Sequence, residues 1–414
     1  MTPSAVRSEG VATVTVRPSV DDAKSMTLKL LAHCRANDWA GHDPYDALNS
    51  RLLAALPLLD SRIPRLVLTQ ALKRSPFNVR RLLLVPKTQN PKALALFLIA
   101  LLKLAKVGVF REESLVADMI DRLIALRSPG IPYWCWGYSF AWQTRTVLVP
   151  RGAPNLVCTS FVASALLDVY EASGDSTYLT MAVSAADYIV DQLYWTDGST
   201  VAGFAYPLAS LRAQTHNANF LGAALLSRVY KHTGETRFLV PALAVARYSA
   251  AQQQDSGSWY YGEASTQRWI DNFHTGYNLG ALRSIGRAAC TVEFESHVRR
   301  GFDFYRRHFF RNDGATRYFH DRTYPIDIHC VAQSIITLLE LRDLDSDNVE
   351  LADSVFRWAM KHMWDARGFY YYRVLRARTI RTSYMRWSQA WMLLALATLL
   401  DDALPAAEPA HATA

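Results

Sequence analysis

Two aspartates and three histidines stand at corresponding points of a recurring pattern. Asp271 and Asp327 come three and two residues before His274 and His329, and His216 opens another stretch of the same kind. A pair of carboxylates is the equipment of acid–base work on a glycosidic bond, or of proton abstraction beside a carbonyl. Imidazoles titrate near neutrality, so histidines at one repeat position could serve as paired acid and base. A plainer role is open to each residue: Asp just ahead of a helix is a favoured N-cap, and a single histidine is commonly structural. Around them lie Trp134, Trp136, Tyr138, Trp142 and Gln143, then Asn217, Asn272, and Tyr384, Arg386, Trp387 and Gln389. Indole and phenol faces stack on the C–H faces of sugar rings, while planar polar groups satisfy sugar hydroxyls. Tryptophan in a large helical protein is also ordinary core.

Other chemistries find little here. There is no phosphate-cradling glycine loop and no GxSxG. The histidines and carboxylates lack the close local spacing of most zinc sites, so neither metal nor cofactor is expected. The five cysteines (34, 135, 158, 290 and 330) form no CxxC pattern and read as buried thiols of a reducing, cytoplasmic setting.

The elements that must position these groups follow from the repeat. A polar or aromatic loop, a small-residue helix, a Gly or Asp turn, a second helix and an aromatic segment recur from Asn155, Thr215, Asp271 and Asp327, with a fifth opening at Ser383. Cys158, His216 and His274 are spaced by 58 residues, His329 follows after 55, and Trp387 after 58. First helices, with Ala163, Ala165, Gly222 and Ala223, are apolar nearly all round and belong inside. Second helices carry charged faces, such as Glu295, Arg299 and Arg306, and belong outside. A ring of buried helices within a ring of amphipathic ones is an all-α (α/α)6 toroid. Segments 90–106 and 111–126 supply an earlier hairpin, and a helix from 45–73 is expected to complete the sixth. The expected organisation is one toroid domain over 23–403, including an N-terminal extension (23–89), between disordered tails at 1–22 and 404–414. In such a ring the loops before the inner helices converge on one mouth of a funnel, so residues some 57 apart in sequence meet there.

Half of the 414 residues are hydrophobic and 20% are charged, which excludes a disordered chain. No stretch of eighteen or more residues is free of charge, so no membrane span is expected, and the first twenty residues lack the apolar core of a secretory signal. The net charge of +8 rests on 36 arginines and nine lysines. Part of that excess reads as base composition. The rest clusters with aromatics at 299–311 and 373–386, and guanidinium forks suit a carboxylate-bearing sugar better than nucleic acid, for which no motif is present.

The segments YWCWGYSFAWQTRT (133–146), PNLVCTSFVASALLDVYEA (154–172), IDNFHTGYNLGAL (270–282) and PIDIHCVAQS (325–334) resemble the six-hairpin glycosidase-like superfamily, and within it proteins encoded with bacterial exopolysaccharide biosynthesis genes. The resemblance spans about residues 75–402. It implies a carbohydrate-active toroid, with other polysaccharide-synthesis proteins as partners. Hydrolases of the superfamily use acidic funnel residues and its 2-epimerases use funnel histidines. Of glutamates near a repeat mouth only Glu263 is present, which lowers the inverting-hydrolase reading. The sequence thus supports a protein that binds or processes an acidic saccharide, glycoside hydrolase-like, with Asp271 and Asp327 as carboxylates and His274 and His329 as tuning groups. Trp136, Tyr138, Trp142, Gln143, His216, Asn217, Asn272, Arg386, Trp387 and Gln389 would bind substrate. A sugar or uronate epimerase and a non-catalytic saccharide-binding subunit are the alternatives.

Overall fold

Six inner helices close a ring because each is apolar on nearly every side. In the computed structural model, which describes residues 20–56, 61–198 and 200–407, they are α4 (Pro91–Lys106), α6 (Leu156–Ser173), α8 (His216–Thr233), α10 (Asn272–Ala288), α12 (Ile328–Glu340) and α14 (Trp391–Ala403). Each packs on the next, and α14 returns to α4. Outside them lie α5 (Glu113–Ala125), α7 (Ser176–Tyr188), α9 (Thr236–Ala251), α11 (Glu295–Phe309) and α13 (Asn348–Met363), each against its own inner partner. One buried hydrophobic cluster runs from Ala23 to Leu400. The fold is an all-α (α/α)6 toroid.

The sixth outer helix is α1 (Val20–Ala36), which packs on α14, so the first described element pairs with the last. This corrects the expectation that a helix from 45–73 completes the ring. Ala23, Leu30 and Cys34 of α1 are fully buried, whereas α3, the main helix of the 45–73 region, buries only Thr69 and Leu72. Helix α1 also begins inside the stretch expected as a tail. Residues 404–407 run on from α14, and the Ala407 amide donates to the Lys106 carbonyl at 2.8 Å. The remainder of both expected tails lies outside the described residues.

Four of the six inner helices start on a recurring device, a side-chain cap that accepts an orphan amide. Asn90, Asn155, Asp271 and Asp327 accept from the amides of Lys92, Cys158, His274 and His329. Each cap is worth about 1 kcal/mol. Gly174 and Gly234 end α6 and α8 in the left-handed conformation, at φ 73° and 72°, where a Cβ would be strained.

Short antiparallel strands tie the mouth loops together. They comprise β1 (Trp142–Gln143) with β2 (Leu148–Val149), β3 (Tyr194–Thr196) with β4 (Ala202–Phe204), and β6 (Trp364–Asp365) with β7 (Phe369–Tyr370). A three-stranded sheet runs β5 (Ile326–Asp327), β8 (Arg373–Val374), β9 (Thr379–Ile380), with Asp327 directly opposite Arg373. Over the mouth lies a layer built by residues 42–56 and 61–88, with the short α2 (Arg51–Ala54) and α3 (Arg62–Arg74). Two buried ion pairs pin it: Arg386 holds Asp43 through two hydrogen bonds at 2.7 and 2.9 Å, and Arg80 donates to Asp46 at 2.6 Å.

Candidate functional site at the capped mouth

The N-termini of α10, α12 and α14 bring one group of residues together. Phe273 stacks against His329 at 4.5 Å between centroids, and His329 meets Trp387 at 4.6 Å and Trp391 at 4.7 Å. A π-helical turn at Met385–Ala390 leads into α14 and turns Arg386 toward Asp43 and Trp387 toward Asp327.

Both aspartates cap their helices, and both engage further partners. Asp271 accepts the His274 amide on one oxygen; its other oxygen accepts from the Trp269 indole at 2.9 Å and lies 2.7 Å from His274 Nδ1. Asp327 accepts the His329 amide and the Trp387 indole at 2.9 Å on one oxygen, while the other holds the Arg373 guanidinium. Asp327 is fully buried. Neither carboxylate is left bare to attack or to protonate a leaving group, and Asp327 is matched to a permanent cation.

The three histidines differ in place and state. His216 is the first residue of its helix, His329 the second and His274 the third, so the matching positions expected from the 58-residue spacing do not hold. Each step along a helix turns a side chain by about 100°, and the three point to different surroundings. His216 faces Ser249 of α9 at 3.3 Å, and burial pushes its pKa down to about 4. His329 sits on the ring axis with Nε2 2.6 Å from the Tyr277 hydroxyl. Burial, and next the charge of Lys92, holds it well below the usual histidine range. His274 alone reaches solvent, its side chain 19% exposed against 1% for that of its partner Asp271. With Nδ1 fixed on the carboxylate, Nε2 is the nitrogen left for chemistry, an arrangement that fixes the orientation of the imidazole.

Several residues singled out for sugar contact serve the scaffold. Trp136 is fully buried and donates to the Leu123 carbonyl at 2.7 Å. Asn272 bridges Ser334 of α12 and Tyr305 of α11. Gln389 pairs with both backbone groups of Tyr370. Arg386 is consumed by Asp43, and its guanidinium lies 5.1 Å from the Tyr138 ring. Trp142 meets Tyr138 edge-on, and Gln143 accepts from Arg65 at 3.3 Å. Asn217 lines, with Trp259, Tyr261, Trp269 and His274, a crevice beside the dyad that is too tight to admit a water molecule. Cys290 is exposed, and the other four cysteines are buried, all five as free thiols.

Other residues of the mouth carry no signal in the repeat pattern. Lys92, in the first turn of α4, is buried with its ammonium 3.9 Å from the Phe161 ring centre and within 5.3 Å of those of Tyr277 and Trp391. Burial, and next the neighbouring Arg386, lowers its pKa well below that of an ordinary lysine. Its one visible mark is a lysine in an otherwise apolar first turn. Tyr45 comes from the covering layer, stacks obliquely on Trp387 at 5.6 Å, and accepts from Lys73 at 2.6 Å. At the other end of the ring a cavity of about 340 Å³ is lined by Arg228, Lys231, Arg283, Arg287 and Glu340. Arg228 and Arg283 are paired with Asp168 and Asp343, and cations there offset the negative ends of the inner helices.

Comparison with protein-family models and with curated proteins gave no match. Among solved structures, the chain is similar to an unsaturated glucuronyl hydrolase from Streptococcus agalactiae, at 12% identity over 97% of this chain and 98% of the other, with a TM-score of 0.60. It is also similar to the cellobiose 2-epimerase from Spirochaeta thermophila, at 15% identity over 94% and 99%, TM-score 0.59. A third similar structure is a GH76 α-mannanase from Bacteroides thetaiotaomicron, at 13% identity over 75% and 86%, TM-score 0.59. What the chain shares with all three is the (α/α)6 toroid.

Proposed function

We propose that this chain is a carbohydrate-processing enzyme whose chemistry is proton transfer on a saccharide at the mouth, an epimerase or isomerase type of reaction. The carrying observation is the 2.7 Å contact between buried Asp271 and half-buried His274. His274 acts as acid and base through Nε2, and Asp271 is its positioning residue. The Tyr277 hydroxyl, bonded to His329 and with its ring 6.0 Å from that of His274, is a second proton-carrying group beside it. The similar structures include both a sugar epimerase and glycoside hydrolases. The commitment of Asp327 to Arg373 weighs against cleavage by a carboxylate pair.

The reading extends to substrate class and setting. Arg145 is exposed at the rim with its guanidinium 5.7 Å from the Trp269 ring, next to the dyad, which suits an acidic sugar. This takes over the role that the sequence gave to Arg386. The resemblance of residues 133–146 and 270–282 to exopolysaccharide-associated proteins supports a place in bacterial exopolysaccharide biosynthesis. Five free thiols suit the cytoplasm.

His274→Ala should lower turnover of an acidic oligosaccharide substrate by about 10²–10⁴-fold, the usual contribution of a positioned acid–base group. Asp271→Asn should lower kcat with little change in KM, since it loosens the orientation of His274 without touching substrate. If His274→Ala retained wild-type turnover, the dyad would not be the catalytic centre.

A further inference from the structure

The layer over the mouth departs from the usual surface pattern. A surface helix ordinarily turns its apolar stripe inward. Helix α3 turns Arg65 and Lys73 inward, to Gln143 and to the Tyr45 hydroxyl. Its outward face carries Ile63 and Val67, 66% and 62% exposed. The same layer presents Leu52 from α2, Leu56 just beyond it, and Phe77 and Leu82 at 75% and 77% exposure. Among the described residues, seven of the twelve exposed large hydrophobics fall between positions 52 and 84. Such concentration differs from the single exposed side chains normal on a surface. The pieces are joined: the Arg51 amide donates to the Leu84 carbonyl at 3.3 Å, and α2 and α3 both pack on the turn at 46–49.

Charge on this face has one sign. Arg51, Arg62, Arg74, Arg81 and Lys87 are exposed among the apolar side chains. Residues 51–87 hold eight Lys and Arg against a single acidic residue, Asp60. Apolar groups able to enter the acyl boundary, interspersed with cations, match an anionic lipid surface in both respects. A second copy of the chain would set like charges against each other.

We propose that the outer face of residues 51–56 and 61–87 docks this protein on an anionic membrane surface. The inner side of the same layer covers Trp387 through Tyr45, so docking turns the mouth toward the bilayer.

The test is co-sedimentation of the full chain with phosphatidylcholine vesicles, with or without about 30% phosphatidylglycerol, at about 0.1 M salt. Binding to the anionic vesicles should be at least about tenfold tighter than to the neutral ones and should weaken as salt is raised. The triple variant Ile63→Ser, Phe77→Ser, Leu82→Ser and the charge variant Arg62→Glu, Arg74→Glu, Arg81→Glu should each lose that binding. Both should keep the wild-type circular dichroism and Tm, since the altered side chains are exposed. Should one triple variant fail to fold, the other decides. Absence of binding by the wild type, or equal binding to neutral and anionic vesicles, would overturn the proposal. So would self-association that depends on Ile63 and Phe77 without vesicle binding, which would give the face to a second copy.

Discussion

At the scale of single residues, the mouth separates groups that look equivalent in sequence. Asp271 and Asp327 are both N-caps, yet one orients an imidazole that meets solvent and the other neutralises a buried guanidinium. Asp327→Asn leaves the Arg373 charge buried without its counter-ion, and should cost about 3–5 kcal/mol of stability. Chemical denaturation would read that loss directly. Asp271→Asn should register mainly in turnover. The buried histidines give a pH signature as well. His216 has a folded-state pKa near 4, below its unfolded value, so the unfolded chain binds the extra proton first as pH falls. Its contribution is fully present above about pH 6.5 and is lost progressively down to about pH 4, roughly 3 kcal/mol at most. His329, shifted in the same direction, adds to the loss. Tm should therefore fall between pH 7 and pH 5, and His216→Asn should flatten that fall.

At the scale of elements, the ring depends on close approach between inner helices. A Cβ on Gly276 of α10 would lie 2.6 Å from Thr337 Oγ1 and 2.8 Å from Gln333 Cγ of α12. Gly276→Val should cost about 1–3 kcal/mol by overpacking, measurable as a lowered denaturation midpoint. The repeat, with its small residues and caps, made the inner ring legible in sequence, because helical period and the spacing of caps are local properties. Two features escaped it. Helix α1 closes the ring across nearly the whole chain, a pairing that no local pattern encodes. The rotational position of each histidine depends on where its helix begins, and a one-residue difference in the cap moves a side chain from the axis to the outer wall. The backbone bonds of Trp136 and Gln389 are hidden for a related reason: composition marks aromatic and polar groups near a mouth without saying which backbone they satisfy.

At the scale of the whole molecule, the toroid is a ring with a pinned cover. The cover is held by Asp43 with Arg386 and by Asp46 with Arg80, both pairs buried. Asp43→Ala should destabilise the chain by about 3–5 kcal/mol by stranding Arg386, whereas Asp43→Leu with Arg386→Met should lie much closer to wild type. Thermal melts of the three proteins would distinguish those outcomes. The cover sets Tyr45 obliquely against Trp387, and of the three histidines only His274 is partly exposed, so substrate meets His274 at the rim before anything deeper. The central claim is that His274 moves a proton on a saccharide at that rim. Its most direct measurement is a time course in deuterated water, followed by proton NMR and mass spectrometry, on acidic oligosaccharides with wild type and His274→Ala. The account predicts deuterium at one sugar carbon without new reducing ends, absent in the variant. New reducing ends without carbon-bound deuterium, or deuterium incorporation undiminished by His274→Ala, would contradict it.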